Sequence, residues 1–174
     1  CDAVRYVYDK ADRLIFVQDG NLKGQGRWRF TIPDALGRTV LSGLCSEPLP
    51  VDGSAVEAEF TGSGSYKGYA VKVGGTVREL SGSRLLTVNY YDHYDFLGKN
   101  GFPAYAYDSS MESSGYGTKS DARGMLTGSV TVLAGDGAGQ LYSVVYYDRR
   151  SRPVQRQSSN SLGGKETEYT AYNF

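Results

Sequence analysis

An all-β fold of antiparallel β-hairpins and a meander is predicted by three features of this 174-residue chain. It carries 23 glycines and 15 tyrosines against one tryptophan and one histidine; tyrosine suits a half-buried pleated surface, and glycine supplies turn geometry. Apolar and polar residues alternate at the period of a strand, as where Val56, Ala58 and Phe60 interleave with Glu57 and Glu59. An acidic residue followed four positions later by a basic one recurs between strand-forming runs, at Asp9 and Arg13, Asp34 and Arg38, and Asp148 and Arg152. The length fits one all-β segment over residues 1–174 that buries its own core.

Residues 1–45 hold the first two copies of the acid–base unit. Aspartate favours the first position of a type I turn because its carboxylate accepts N–H bonds from the residues just ahead, and glycine favours the fourth, where a left-handed backbone makes the bulge that returns the chain. Gly37 meets that need, Asp12 tolerates it, and Ser151 in the third copy fits less well. The base then lies beside the acid across the neck of the hairpin, a pair that, if exposed, fixes register more than it stabilises. The tyrosine ahead of the acid offers a ring for packing against the next hairpin. Tyr94-Asp95-Phe96-Leu97-Gly98-Lys99 reads as a looser fourth copy.

Residues 54–92 read as a four-stranded antiparallel meander with turns at TGSGS, Gly74-Gly75 and SGS. Residues 93–124 are irregular, with one long loop around 101–124 that has no sustained periodicity and is expected to be the mobile part. Residues 125–174 hold a hairpin joined at Asp136-Gly137, the third acid–base copy, and a terminal strand from Lys165 onward. One or two helical turns are expected only near residues 46–50.

The 19 basic and 19 acidic residues cancel, so no broad field favours nucleic acid, and no apolar run approaches the ~18 residues needed for membrane insertion of this segment. Cys1 and Cys45 either form one disulfide or remain two thiols, and an amino-terminal Cys is also a lipidation candidate. His93 between Asp92 and Asp95 is a candidate base without a marked nucleophile, so no catalytic residue is assigned. Asp9 with Asp12, or Asp92 with Asp95, offers oxygens to calcium but not a dense ligand loop, so no metal or cofactor is assigned. The glycine runs 62–64 and 135–139 lack the helix that would hold a phosphate and read as turns. Tyr90, Tyr91, Tyr94, Tyr105, Tyr107 and Tyr116 form a cluster on which a glycan ring could stack, or which packs a sheet face.

The stretches RYVYDKADRL, TIPDALGRTV and VYYDRRSRPV resemble the YD repeat of the rearrangement-hotspot (Rhs) family, and the run from Val7 to Leu44 is similar to YD-repeat proteins of the Bacteroidetes. That resemblance implies a spiral or curved sheet of hairpins within a larger cell-surface or secreted bacterial protein. It further implies a scaffold that builds a shell or stalk, adjacent repeats of the same polypeptide as partners, and an enclosed carboxyl-terminal cargo domain or a surface glycan as further candidates. The copies are unevenly spaced, at 25, 61 and 53 residues from acid to acid. The Asp-Pro run that ends the shell in that family is not found, so self-cleavage and toxicity are not carried over. A structural scaffold without enzymatic activity is expected, with a carbohydrate-binding or adhesive module as the alternative.

Overall fold

A computed structural model describes residues 3–114, 118–133 and 139–173. The protein is all-β and antiparallel, and it divides into two compact units, Cys1–Val88 and Asn89–Phe174. Among the described residues no helix is long and apolar enough to cross a membrane.

In the first unit, β1 (Arg5–Tyr8) and β2 (Leu14–Gln18) form one hairpin, and β3 (Trp28–Pro33) and β4 (Thr39–Cys45) form the next. β2 pairs with β3, so the two hairpins make a continuous meander. Between them lies α1 (Gly20–Gly24), which sequence reasoning did not find. The Asp19 carboxylate caps it by accepting from the Leu22 amide at 2.8 Å, and Leu22 is the one side chain it buries. One leucine in five residues gives no apolar periodicity, which is why the helix was missed. The helix expected near 46–50 does not form: Pro48 and Pro50 break it, and the chain leads instead into a tight turn at Asp52-Gly53, both at positive φ.

The expected four-stranded meander is also corrected. β5 (Val56–Gly64), β6 (Gly68–Val73) and β7 (Thr76–Arg78) form a separate three-stranded sheet, and the fourth strand, β8 (Arg84–Asp92), pairs with β4. The run at 62–64 is not a turn, because β5 continues through Gly64. The reversal falls at 65–67, where Tyr66 turns inward and its hydroxyl bonds to Glu79 and to the Leu80 amide.

The core of this unit is set by cross-strand partners. Phe16 faces Phe30, Phe30 faces Gly43, and Ile32 faces Leu41, with all four large side chains fully buried. Gly43 is required by crowding: a Cβ there would lie 2.6 Å from the Phe30 ring and 2.3 Å from the Arg84 carbonyl oxygen. Cys45 is a free, buried thiol, and burial pushes its pKa up to about 11, against the opposing Arg27 charge and the Glu47 amide. Cys1 lies outside the described residues.

In the second unit β9 (Ala122–Val132), β10 (Gln140–Tyr147), β11 (Pro153–Ser159) and β12 (Lys165–Tyr169) pair in that order, with the end of β8 beside β9. Residues 136 and 137, expected to turn between β9 and β10, lie outside the described residues. Tyr90 stacks on Phe96 at 4.1 Å, and Phe102 meets both edge-on. Gly128 leaves the space that the Phe96 ring fills.

The irregular segment is shorter than expected, since β9 already begins at Ala122, and it contains a short 3-10 helix, Ser109–Ser114. Its described backbone is also tied down. Tyr146 donates its hydroxyl to the Tyr105 carbonyl at 2.6 Å, and Gln157 donates to that of Ala106 at 2.7 Å. Gln155 both donates to the Asp108 carbonyl and accepts from its amide, each at 3.0 Å. Residues 103–108 therefore lie as an extended strap held by side chains of β10 and β11.

Gly43→Ala is expected to destabilise the fold by about 1–3 kcal/mol, because the clash is partly with backbone of β8 and cannot be relieved by one rotamer change. Thermal denaturation compared with Gly24→Ala, whose new methyl meets nothing within 4 Å, checks it.

Candidate functional site

The three acid–base turns share one bonding pattern. In each, Oδ1 of the aspartate accepts two backbone N–H groups, from the second and fourth residues ahead: Ala11 and Arg13 at 2.9 and 3.0 Å, Leu36 and Arg38 at 3.0 and 2.9 Å, Arg150 and Arg152 at 2.8 and 3.0 Å. Oδ2 takes the arginine, with Nε to Oδ2 distances of 2.9, 2.7 and 2.9 Å. The terminal guanidinium nitrogen approaches the same oxygen at 2.6, 2.7 and 2.7 Å. The aspartate amide donates to the arginine carbonyl, closing the neck of each hairpin.

The residue before the arginine is left-handed in all three: Asp12 at φ 56°, Gly37 at 82° and Ser151 at 59°. Ser151 thus makes the full turn that its side chain made doubtful. The pairs are not freely exposed. The Asp9, Asp34 and Asp148 side chains retain 0%, 15% and 9% of their exposure, so these are half-sheltered ion pairs and not free surface ones.

Burial works against the charge on Asp9, but the Arg13 side chain and the amides of Arg13, Val56 and Ala11 outweigh it and hold the carboxyl below its ordinary range. Asp148 behaves alike: burial opposes its charge, and Arg152 with the amides of Arg152 and Arg150 reverses that effect.

The looser fourth copy at residues 94–99 is corrected. Asp95 is exposed, β8 ends ahead of the segment at Asp92 with no returning strand among the described residues before Ala122, and its turns close through the Tyr94 and Phe96 carbonyls. The true fourth member joins β11 to β12. Asn160 Oδ1 accepts from the Leu162 and Gly164 amides at 3.1 and 2.8 Å, and Gly163 supplies the left-handed position at φ 81°. Here the amide replaces the acid and glycine replaces the base. An Asn side chain presents N–H where Oδ2 would be, so it cannot accept an arginine, and a Cβ at residue 164 would lie 2.9 Å from Asn160 Nδ2. Its signature in the sequence is Asn-Ser-Leu-Gly-Gly, which has no basic residue at the fifth position.

Arg13 reaches furthest. Besides Asp9, it donates to the Val56 carbonyl at 3.1 Å and, more weakly, to the Asp34 carbonyl at 3.4 Å, while Asp9 Oδ2 accepts from the Val56 amide at 3.2 Å. The first turn is thereby tied to the second and to the start of β5. The tyrosines ahead of the acids do not share one role: Tyr147 is buried and donates to the Leu126 carbonyl, whereas Tyr8 is 53% exposed.

Among the described residues the tyrosine cluster does not form a common open platform. Tyr90 is fully buried, a correction to its place among candidate glycan contacts, and Tyr91 is half-buried. Tyr94 stacks on Tyr146 at 4.6 Å, with the Lys119 ammonium over its ring. Tyr107 packs edge-on to Tyr146 and donates to Glu112, and Tyr105 lies beneath Lys165. Tyr116 lies outside the described residues. Asp108, exposed at the end of the strap, is pushed down to about 2, chiefly by the Tyr169 hydroxyl and then by Ser110 and Lys165.

His93 Nδ1 accepts from the Asp95 amide and lies 3.8 Å from the Asp95 carboxylate. The oxygens of Asp9 are taken by its own turn and by the Val56 amide, and Asp92 caps the Gly124 amide at 2.6 Å. Among the described residues no three His, Cys, Asp or Glu side chains are placed to share a metal.

Two outcomes follow from the turns. Asp9 and Asp148 have folded pKa values below those of the unfolded chain. Their stabilisation is complete above the ordinary aspartate value of about 3.9 and is lost as pH falls through the depressed folded values. Asp148→Asn, measured by urea denaturation across pH, should flatten this acid limb and cost about 1.5–3 kcal/mol near neutrality. Gly37→Val should lower stability by about 1–2 kcal/mol, since a β-branched residue is forced to positive φ; an unchanged melting midpoint would contradict the turn.

Compared with known proteins, the chain matches no family model and no curated protein.

Proposed function

We propose that this chain is a structural scaffold segment of a YD-repeat, Rhs-like protein of the cell surface or the secreted space, in which hairpins stack edge to edge to build a shell or stalk. The carrying observation is the bonding of Arg13, which closes its own hairpin and also bonds the turn of the next one and the entry to β5. A residue that only ended a hairpin would need one partner, whereas one that fixes the spacing of successive hairpins needs several. The repetition of the same turn at Asp34 and Asp148 supports the same role.

The partners on this reading are adjacent repeats of the same polypeptide, and a cargo domain or surface glycan belongs to the whole assembly. No reaction is proposed for the segment. Electron cryomicroscopy of a longer polypeptide containing the chain should show its hairpins continuing into neighbouring hairpins; an isolated bead on flexible linkers would defeat the scaffold role. Sugar titration followed by tyrosine fluorescence is expected to give no saturable change, and saturation would favour the adhesive module.

A further inference from the structure

We propose that the outer edge of β1 pairs with β1 of a second copy of this chain, antiparallel and centred on Tyr6. Eight large hydrophobic side chains are exposed among the described residues, and four of them, Val4, Tyr6, Tyr8 and Leu14, lie together. Val4, Tyr6 and Tyr8 alternate along the chain and so share a face, and Leu14 is the register partner of Tyr8 on β2. The Tyr6 and Tyr8 ring centroids are 6.4 Å apart. The other four are scattered over turns and separate strands, at Leu36, Val77, Leu126 and Leu162. Single exposed apolar residues are ordinary, while a contiguous patch marks a contact surface.

β1 is also an edge strand, with β2 its one neighbour among the described residues. Edge strands are usually blunted by charge, proline or covering structure. β12 shows that device, reading Lys-Glu-Thr-Glu-Tyr with four of its five residues exposed. β1 carries one exposed charge, Arg5, and otherwise presents Tyr6 and Tyr8.

Charge selects the occupant. In the register centred on Tyr6, Val4 opposes Tyr8 of the second copy, Tyr6 opposes Tyr6, and the single charge, Arg5, opposes Val7. Apolar meets apolar, and no like charges meet. β12 paired with itself about Thr167 would set Glu166 against Glu168, and β12 against β1 would set lysine and glutamate against tyrosine rings. The bulge between Val7 and Tyr8 limits the regular ladder to a few residues, so the interface is small and the association weak. The two-fold arrangement closes on itself and gives a dimer, not a filament. The scaffold role uses the same edge, since in a longer polypeptide a neighbouring hairpin would lie against β1, so the pairing proposed here is that of the chain by itself.

Sedimentation of the intact chain over a concentration series should show monomer and dimer without larger species. Tyr6→Lys brings two ammonium groups together at the axis and should weaken dimerisation about tenfold or more, with the melting midpoint retained because Tyr6 is exposed. Tyr8→Lys, a second variant, should act in the same direction, and Glu166→Gln should leave dimerisation unchanged. Monomer throughout the series, dimers that survive both lysine variants, or a ladder of growing species abolished by Glu166→Gln, the mark of β1 on β12, would each overturn the proposal.

Discussion

The division of labour between two carboxylate oxygens governs this fold. One oxygen of each turn aspartate gathers the amides of the reversing backbone, and the other holds the arginine immediately ahead of the returning strand. Because both tasks fall on one side chain, turn type and cross-neck pairing are specified together. A hairpin with its bulge out of place would strand the arginine beside the wrong oxygen, and one residue of slip would turn every side chain of the strand to the opposite face.

Asp9 and Asp148 stay ionised in partial burial because both oxygens of each are satisfied. An unpaired carboxylate so sheltered would be costly, and the pair without its amide bonds would be little better. The variant at Asn160 shows which half is indispensable for reversing the chain. Its Oδ1 keeps the two amide bonds, the arginine disappears, and the hairpin between β11 and β12 still forms. The amide cap makes the turn; the arginine connects that turn to its surroundings, most fully at Arg13.

In the second unit aromatic packing holds what hydrogen-bonded strands do not. Phe96 and Phe102 come from segments outside any strand, yet both are buried against Tyr90. The strap at 103–108 then lies across β10 and β11, its carbonyls taken by Tyr146, Gln157 and Gln155. Side chains thus replace the neighbouring strand that these backbone groups would otherwise need. The tyrosines that suggested an open glycan platform are largely part of this packing.

The local code was legible from the chain alone. The all-β class, the hairpins at Asp9, Asp34 and Asp148, and their acid–base pairing are written within five consecutive residues each, where turn geometry depends only on near neighbours. Tertiary structure decided what five residues cannot encode. It placed β8 beside β4 instead of β7, buried Tyr90 while leaving Tyr8 exposed, and carried Arg13 to Val56, 43 positions away. Strand partners and burial follow from which surfaces the whole chain can cover at once, and an alternating run reads the same whichever neighbour it finds.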